Sequence, residues 1–259
     1  MNLLMINGSP NNAGNTNKIL ELLSKEMSKT IKGDNYVCST ISLSQKSIEH
    51  CHGCRICFND SELHCPYKDD VNSIKCRMEE ADIIIIGSPV YVEDVTGITK
   101  NWIDRMAYNC HRPFLRGKLV YIITTSGAGA SSHAIKTLKH ALVAWGAQIV
   151  NYDNYHMGIK MKLVEAEKLY SKIITIRINE LIHRINNSRI NMYSLIAFNV
   201  QKKYWSRKNI DTQSFDYKYW KKQGWLTKKC FYYHPINDIF FKKNLAILFS
   251  KLIGILMKA

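Results

Sequence analysis

Residues 81–87 read Ala-Asp-Ile-Ile-Ile-Ile-Gly. An apolar run of this kind, bounded by turn residues, predicts a strand buried on both faces. Residues 118–124 (KLVYIIT) repeat the pattern. Shorter strand signals lie at 2–7, 36–43 and 147–152. Between them the apolar spacing turns helical: Ile19, Leu22, Leu23, Met27 and Ile31 mark a helix over 15–32, and further helices are predicted at 71–80, 96–108, 131–145 and 161–185. Five strands alternating with helices predict an α/β fold, a five-stranded parallel sheet with helices on both faces. Ligands of such sheets bind outside the carboxyl ends of the strands, which directs attention to three loops.

The first loop, Gly8 to Asn17, leads straight into a helix. Backbone N–H groups and the positive end of the helix dipole make it a seat for phosphate, with Ser9, Asn15, Thr16 and Asn17 as side-chain donors. The plainer reading is a helix cap at Asn15 or Thr16. The loop is neither a Walker A motif nor a G-x-G-x-x-G fingerprint. In the second loop, Ser88-Pro89-Val90-Tyr91, the proline makes a wall for a flat ring and Tyr91 could stack on it. In the third, Ser126-Gly127-Ala128-Gly129, the glycines let backbone approach a planar ligand closely. A phosphate seat and two planar walls fit flavin mononucleotide (FMN).

Four of the eight cysteines fall within fifteen residues, as Cys51-x₂-Cys54-x₂-Cys57-x₇-Cys65. The N-terminus lacks the basic and long apolar regions of an export signal, so a cytoplasmic location is expected. In a reducing compartment, a metal or redox role outranks disulfides. Three thiolates two residues apart with a fourth further on suit a cuboidal cluster, whereas structural zinc more often uses separated pairs. His50, His52 and His64 are read as solvated, as are Arg55 and Lys68. Cys38, Cys76, Cys110 and Cys230 are read as buried small side chains. No Ser/His/Asp triad or paired-carboxylate motif stands out, and no catalytic residue is assigned; Glu93 and Asp94 are read as surface groups beside the flavin.

The segments GSP…GNTN, ADIIIIGSPVYVEDVTGITKNWIDR and the glycine loop after YIITTS together resemble the NADPH-dependent FMN reductase family over roughly residues 1–185. The resemblance implies the flavodoxin-like fold, flavin-dependent oxidoreductase activity, and NADPH or NADH as a donor. It implies FMN held by Ser9, Pro10, Asn11, Asn15, Thr16 and Asn17, by Pro89, Val90 and Tyr91, and by Ser126, Gly127 and Gly129. Asn11 stands where the family often has arginine, which shifts the phosphate onto backbone N–H groups. Within the superfamily, iron–sulfur flavoproteins carry a similar cysteine spacing at this place, followed by a pair like Asp69-Asp70. That likeness implies a [4Fe–4S] cluster on Cys51, Cys54, Cys57 and Cys65, a ferredoxin-like donor, a small-molecule acceptor and a homo-oligomer. Zinc or empty thiols, an NAD(P)H-dependent FMN or quinone reductase without a cluster, and a non-catalytic flavin electron carrier remain as alternatives.

Charge divides the chain. Residues 1–150 carry 16 Lys/Arg against 14 Asp/Glu, but residues 151–259 carry 20 against 7. The expected organisation is a flavodoxin-like domain over 1–186 and a basic, aromatic-rich C-terminal extension over 187–259. Its mixture of aromatics and lysines could stack on nucleic acid, but no recognised nucleic-acid motif supports this, so no nucleic-acid partner is expected. The aromatics are expected to pack against the core or a second copy, with lysines outward. Residues 236–257 predict an amphipathic helix, with Ile247 and Phe249 on its apolar face and Lys243, Ser250 and Lys251 on its polar strip. Lys242, Lys243 and Lys251 argue against a membrane span and leave contact with a membrane surface as an alternative to packing.

Overall fold

The structure, a computed structural model, describes residues 1–31, 36–127, 129, 131–186, 190–233 and 244–250. Five strands, β1 (Asn2–Asn7), β2 (Val37–Ser42), β3 (Ile83–Pro89), β4 (Leu119–Ser126) and β5 (Gln148–His156), form one parallel sheet in the order β2-β1-β3-β4-β5. Six helices connect or follow them: α1 (Asn15–Thr30), the single turn α2 (Ile56–Asn59), α3 (Val71–Glu80), α4 (Gly97–Arg105), α5 (Ser132–Ala144) and α6 (Leu163–Asn186). This is the flavodoxin-like architecture.

Side-chain alternation along the strands builds two cores. Leu4, Ile6, Ile84, Ile86, Val120 and Ile122 face α3, α4 and α5, where Ile74, Trp102 and Leu138 meet them. Leu3, Met5, Ile83, Ile85, Tyr121 and Ile123 face α1 and α6, against Ile19, Leu23, Ile174 and Ile178. The isoleucine run is therefore divided between both faces, the physical reason it tolerates no polar residue. Two boundaries differ from expectation. β5 continues through polar residues to His156, because an edge strand need not be apolar throughout. The helix expected over 96–108 ends at Arg105 and passes into a 3₁₀ turn, Ala107–Cys110.

Beyond the sheet domain, α7 (Met192–Trp205) and α8 (Phe215–Lys222) gather Ile190, Leu195, Phe198, Trp205, Trp220, Trp225 and Tyr232 into a third cluster. It rests on the sheet domain through hydrogen bonds from Ser194 Oγ to Ala147 O (3.2 Å), Trp220 Nε1 to His111 O (2.7 Å) and Tyr219 Oη to Pro113 O (3.2 Å). Of the helix expected over 236–257, only 244–250 is described, and it is helical. There the expectation fails at two positions: Ser250 is buried with Ala246 and Phe249 is exposed, while Ile247 is half-buried; Leu245 and Leu248 are exposed as well. No helix among the described residues is long and apolar enough to cross a membrane.

Candidate functional site

The three strand-end loops lock to one another. Gly8 N–H donates to Gly87 O (2.7 Å), and Val90 N–H to Thr125 O (2.9 Å). Thr96 Oγ1, which caps α4, donates to Gly8 O (2.6 Å), and the hydroxyls of Thr16 and Thr125 share a hydrogen bond of 2.7 Å. A Cβ on Gly8 would lie 2.2 Å from Thr99 Oγ1, so only glycine lets α4 approach the first loop this closely.

Within the first loop the side chains mostly serve the protein. Ser9 is buried; its Oγ donates to Asn11 O (3.0 Å) and accepts from Asn11 N–H (3.1 Å). Asn11 Oδ1 accepts from Ala13 N–H (3.0 Å), while the Asn15 amide donates to Gly158 O (3.2 Å) and the Asn17 amide to Glu21 (2.6 Å). Pro10 and Asn11 are exposed. The α1 cap is Gly14, which supplies no side-chain bond, so neither Asn15 nor Thr16 caps the helix. The first-turn N–H groups of Asn15, Thr16 and Asn17 keep no partner among the described residues. These open amides at the positive helix end, with no acidic residue in the first turn, suit a phosphate.

After β3, the chain makes a tight reversal in which Tyr91 and Asp94 exchange backbone hydrogen bonds of 2.8 and 3.1 Å. Val92 (φ 49°) and Glu93 (φ 64°) sit in left-handed conformations, a strained choice for a β-branched side chain. The turn presents Tyr91 (51 % exposed) and Val92 (98 %), while Pro89 and Val90 are half-buried. After β4, Ser126 is buried, with Oγ near Gly129 O (3.3 Å) and accepting from Asn154 Nδ2 (3.1 Å). Gly127 and Gly129 are exposed: among the described residues, a Cβ on either would meet no atom within 4 Å, and neither has a positive φ. Open amides at one loop and an open glycine wall at another fit FMN.

The cysteine loop sits at the other end of α4, which rises about 13 Å from Thr96 to Arg105. Asn101 donates to Ile48 O (3.1 Å) and Glu49 O (3.2 Å) and accepts from Cys51 N–H (3.4 Å). Arg105 forms a buried ion pair with Asp69, donates to Glu49 O (2.8 Å) and points Nη2 at Cys65 Sγ (3.7 Å). Burial opposes ionisation of Asp69, but Arg105 and the N–H groups of Glu49 and Val71 hold its carboxyl below the usual range. Sequence reasoning missed Arg105; its signal is its place as the last residue of the motif ending NWIDR.

Cys51, Cys54, Cys57 and Cys65 all line one cavity of about 230 Å³, with His52, Arg55, Tyr67, Arg105 and Tyr108 among its walls. Among the described residues, no three His, Cys, Asp or Glu side chains converge on a single-ion site. The thiols stand around a cavity instead, and a cuboidal cluster spaces its thiolates further apart than one ion does. Burial, then the neighbouring Cys65, pushes the Cys57 thiol up. Tyr108 Oη, buried at the wall, has no hydrogen-bond partner among the described residues, and burial keeps it protonated as a donor. The fit to a cluster rests instead on the four thiols that line the one cavity. Of the flanking histidines, His52 meets Tyr67 Oη (2.6 Å) and His64 meets Asp60 (2.6 Å), and all three are exposed. Cys38, Cys110 and Cys230 are half-buried, but Cys76 is exposed on α3, contrary to expectation.

A five-stranded parallel sheet in this order, with its loops gathered at the strand ends, is of the flavodoxin-like class. Residues 1–161 match the family described as NADPH-dependent FMN reductase, and the chain belongs to that family. Among its relatives is an iron–sulfur flavoprotein of Archaeoglobus fulgidus, 35 % identical over 153 residues, 59 % of this chain and 67 % of the relative. An iron–sulfur flavoprotein of Clostridioides difficile is 27 % identical over 229 residues, 86 % of this chain and 99 % of the relative. Among solved structures, RosB with bound 8-demethyl-8-formylriboflavin-5′-phosphate overlays with a TM-score of 0.56 at 12 % identity, covering 82 % of this chain and 90 % of that one. This last likeness is one of fold.

Proposed function

We propose that this FMN-dependent oxidoreductase is an iron–sulfur flavoprotein that passes electrons between a [4Fe–4S] cluster on Cys51, Cys54, Cys57 and Cys65 and FMN on the three strand ends. The observation that carries this reading is the common cavity of the four cysteines, joined by α4 to the flavin turn. The sulfur centre exchanges single electrons, and flavin exchanges one or two. The N–H groups of Asn15, Thr16 and Asn17 hold the flavin phosphate. Pro89, Val90 and the Ser126–Gly129 wall orient its ring, and Tyr91 borders its open side. Arg105 steadies the cysteine loop and places positive charge beside Cys65. Ser9, Asn15 and Asn17 shape the pocket through their bonds to the protein.

Electrons enter from a ferredoxin-like protein or NAD(P)H and leave to a small-molecule acceptor on the exposed Tyr91–Val92 side, which a second copy of the chain could also cover. The family match favours a second reading, NADPH-dependent reduction of FMN or a quinone without a cluster. Anaerobic bleaching separates the two. The cluster reading expects reduced ferredoxin to bleach both iron–sulfur and flavin absorption. Rapid bleaching of flavin by NADPH in iron-free protein supports the second reading.

A further inference from the structure

The extension reaches the cysteine loop through Asp216. This residue, in the first turn of α8, is 5 % exposed, and both its oxygens are engaged. Oδ1 accepts from Arg112 Nη1 (2.9 Å), and Oδ2 meets His111 Nδ1 (2.6 Å). Arg112, 4 % exposed, turns Nη2 to the carbonyl of Cys57 and approaches Glu62 of the same loop (3.3 Å). Its guanidinium lies between the rings of Tyr108 and Phe215, 5.1 and 4.8 Å from their centroids. Beside this contact, Phe58 packs edge-on against His111 at 5.0 Å. The hydrogen bonds of Trp220 and Tyr219 fasten α8 to the same 111–113 segment.

A buried guanidinium is costly without counter-charge. Asp216 supplies part of that charge from the extension through Nη1, which leaves Nη2 to grip the loop; Nε has no partner among the described residues. We propose that Asp216 and Arg112 form a clamp through which the C-terminal extension positions Cys57 and sets the electrostatics of the cysteine centre. Both are positioning residues, and the electrostatic part rests on the cluster reading. Positive charge behind Cys57 favours the more negative, reduced form of a thiolate-bound centre, and Asp216 offsets it. The two substitutions therefore have opposite signs. Asp216→Asn leaves Arg112 less compensated and raises the potential; Arg112→Gln lowers it. Simple loosening of the loop has no reason to produce opposed shifts.

The test uses full-length protein in two arms. In the first, hydrogen exchange of the apo protein is followed in peptides covering 51–65. Asp216→Asn and Arg112→Gln should exchange at least about tenfold faster, as expected for one lost charge-assisted hydrogen bond. Arg112→Lys, which keeps charge but cannot bridge Asp216, Glu62 and the Cys57 carbonyl, should also lose protection. In the second arm, protein reconstituted with iron and sulfide is titrated potentiometrically. Asp216→Asn should shift upward, Arg112→Gln downward, and Arg112→Lys should stay near wild type. Unchanged exchange in all three variants overturns the clamp. Shifts of the same sign in Asp216→Asn and Arg112→Gln overturn its electrostatic role. Wild-type protein that takes up no iron fails the cluster reading, while the exchange arm still judges the clamp. If Asp216→Asn does not fold, the two Arg112 variants decide: unchanged exchange in both overturns the clamp, and equal potential shifts in Arg112→Gln and Arg112→Lys overturn its electrostatic role.

Discussion

Thr16, in the first turn of α1, and Thr125, near the end of β4, hold each other through a buried hydroxyl–hydroxyl hydrogen bond of 2.7 Å. This bond ties the first loop, the proposed phosphate seat, to the strand that leads into the Ser126–Gly129 loop. Thr125→Val leaves the Thr16 hydroxyl buried without that partner, which costs about 1–3 kcal/mol. Urea unfolding should show the loss, and equilibrium dialysis should show weaker FMN binding. Thr16→Val with Thr125→Val should recover much of the stability but not the affinity.

Gly127 faces open space, and its backbone does not require glycine. Gly127→Leu should leave the thermal midpoint of the apo protein unchanged and weaken FMN at least tenfold, about 1.4 kcal/mol or more. Undiminished FMN binding would place the ring elsewhere.

Arg105 and Asp69 are buried together at the base of the cysteine loop. Asp69→Asn leaves the guanidinium buried without its ion-pair partner, a loss of about 3–5 kcal/mol measurable by denaturant unfolding. The same pair sets a pH dependence. Because the folded carboxyl titrates below its unfolded value, its stabilisation is full above the ordinary carboxylate range, about pH 4, and disappears as pH falls through the folded value. Acid titration of Asp69→Asn should lack that component.

Burial and the neighbouring thiols raise the Cys57 pKa, and cluster ligation requires its thiolate. The folded site therefore favours the protonated form until pH passes above the ordinary cysteine range. Iron and sulfide incorporation, measured by absorbance against pH under anaerobic conditions, should increase towards alkaline pH. A yield that falls with pH over that range would contradict thiolate ligation at Cys57.

Much of this arrangement is legible in the residues. The isoleucine run places β3 in the centre of the sheet, the helical spacings place α1 and α6, and the cysteine spacing anticipates a shared cavity. Other features leave no local trace. Asn15 and Asn17 read equally well as ligand donors or as braces, and only folding shows them bonded to Gly158 and Glu21. Arg112 and Asp216 lie 104 positions apart, so no periodicity joins them. The end of β5 was obscured because its edge position admits polar residues that a central strand excludes.

Anaerobic purification of the full-length chain, followed by flavin, iron and acid-labile sulfide determination after gel filtration with excess FMN, tests the central claim most directly. FMN together with iron and sulfide in the proportion of one cuboidal cluster per chain is the expected result. Protein that emerges with flavin but neither iron nor sulfide, after reconstitution, would contradict the cluster on Cys51, Cys54, Cys57 and Cys65; protein that emerges colourless would contradict the flavin site as well.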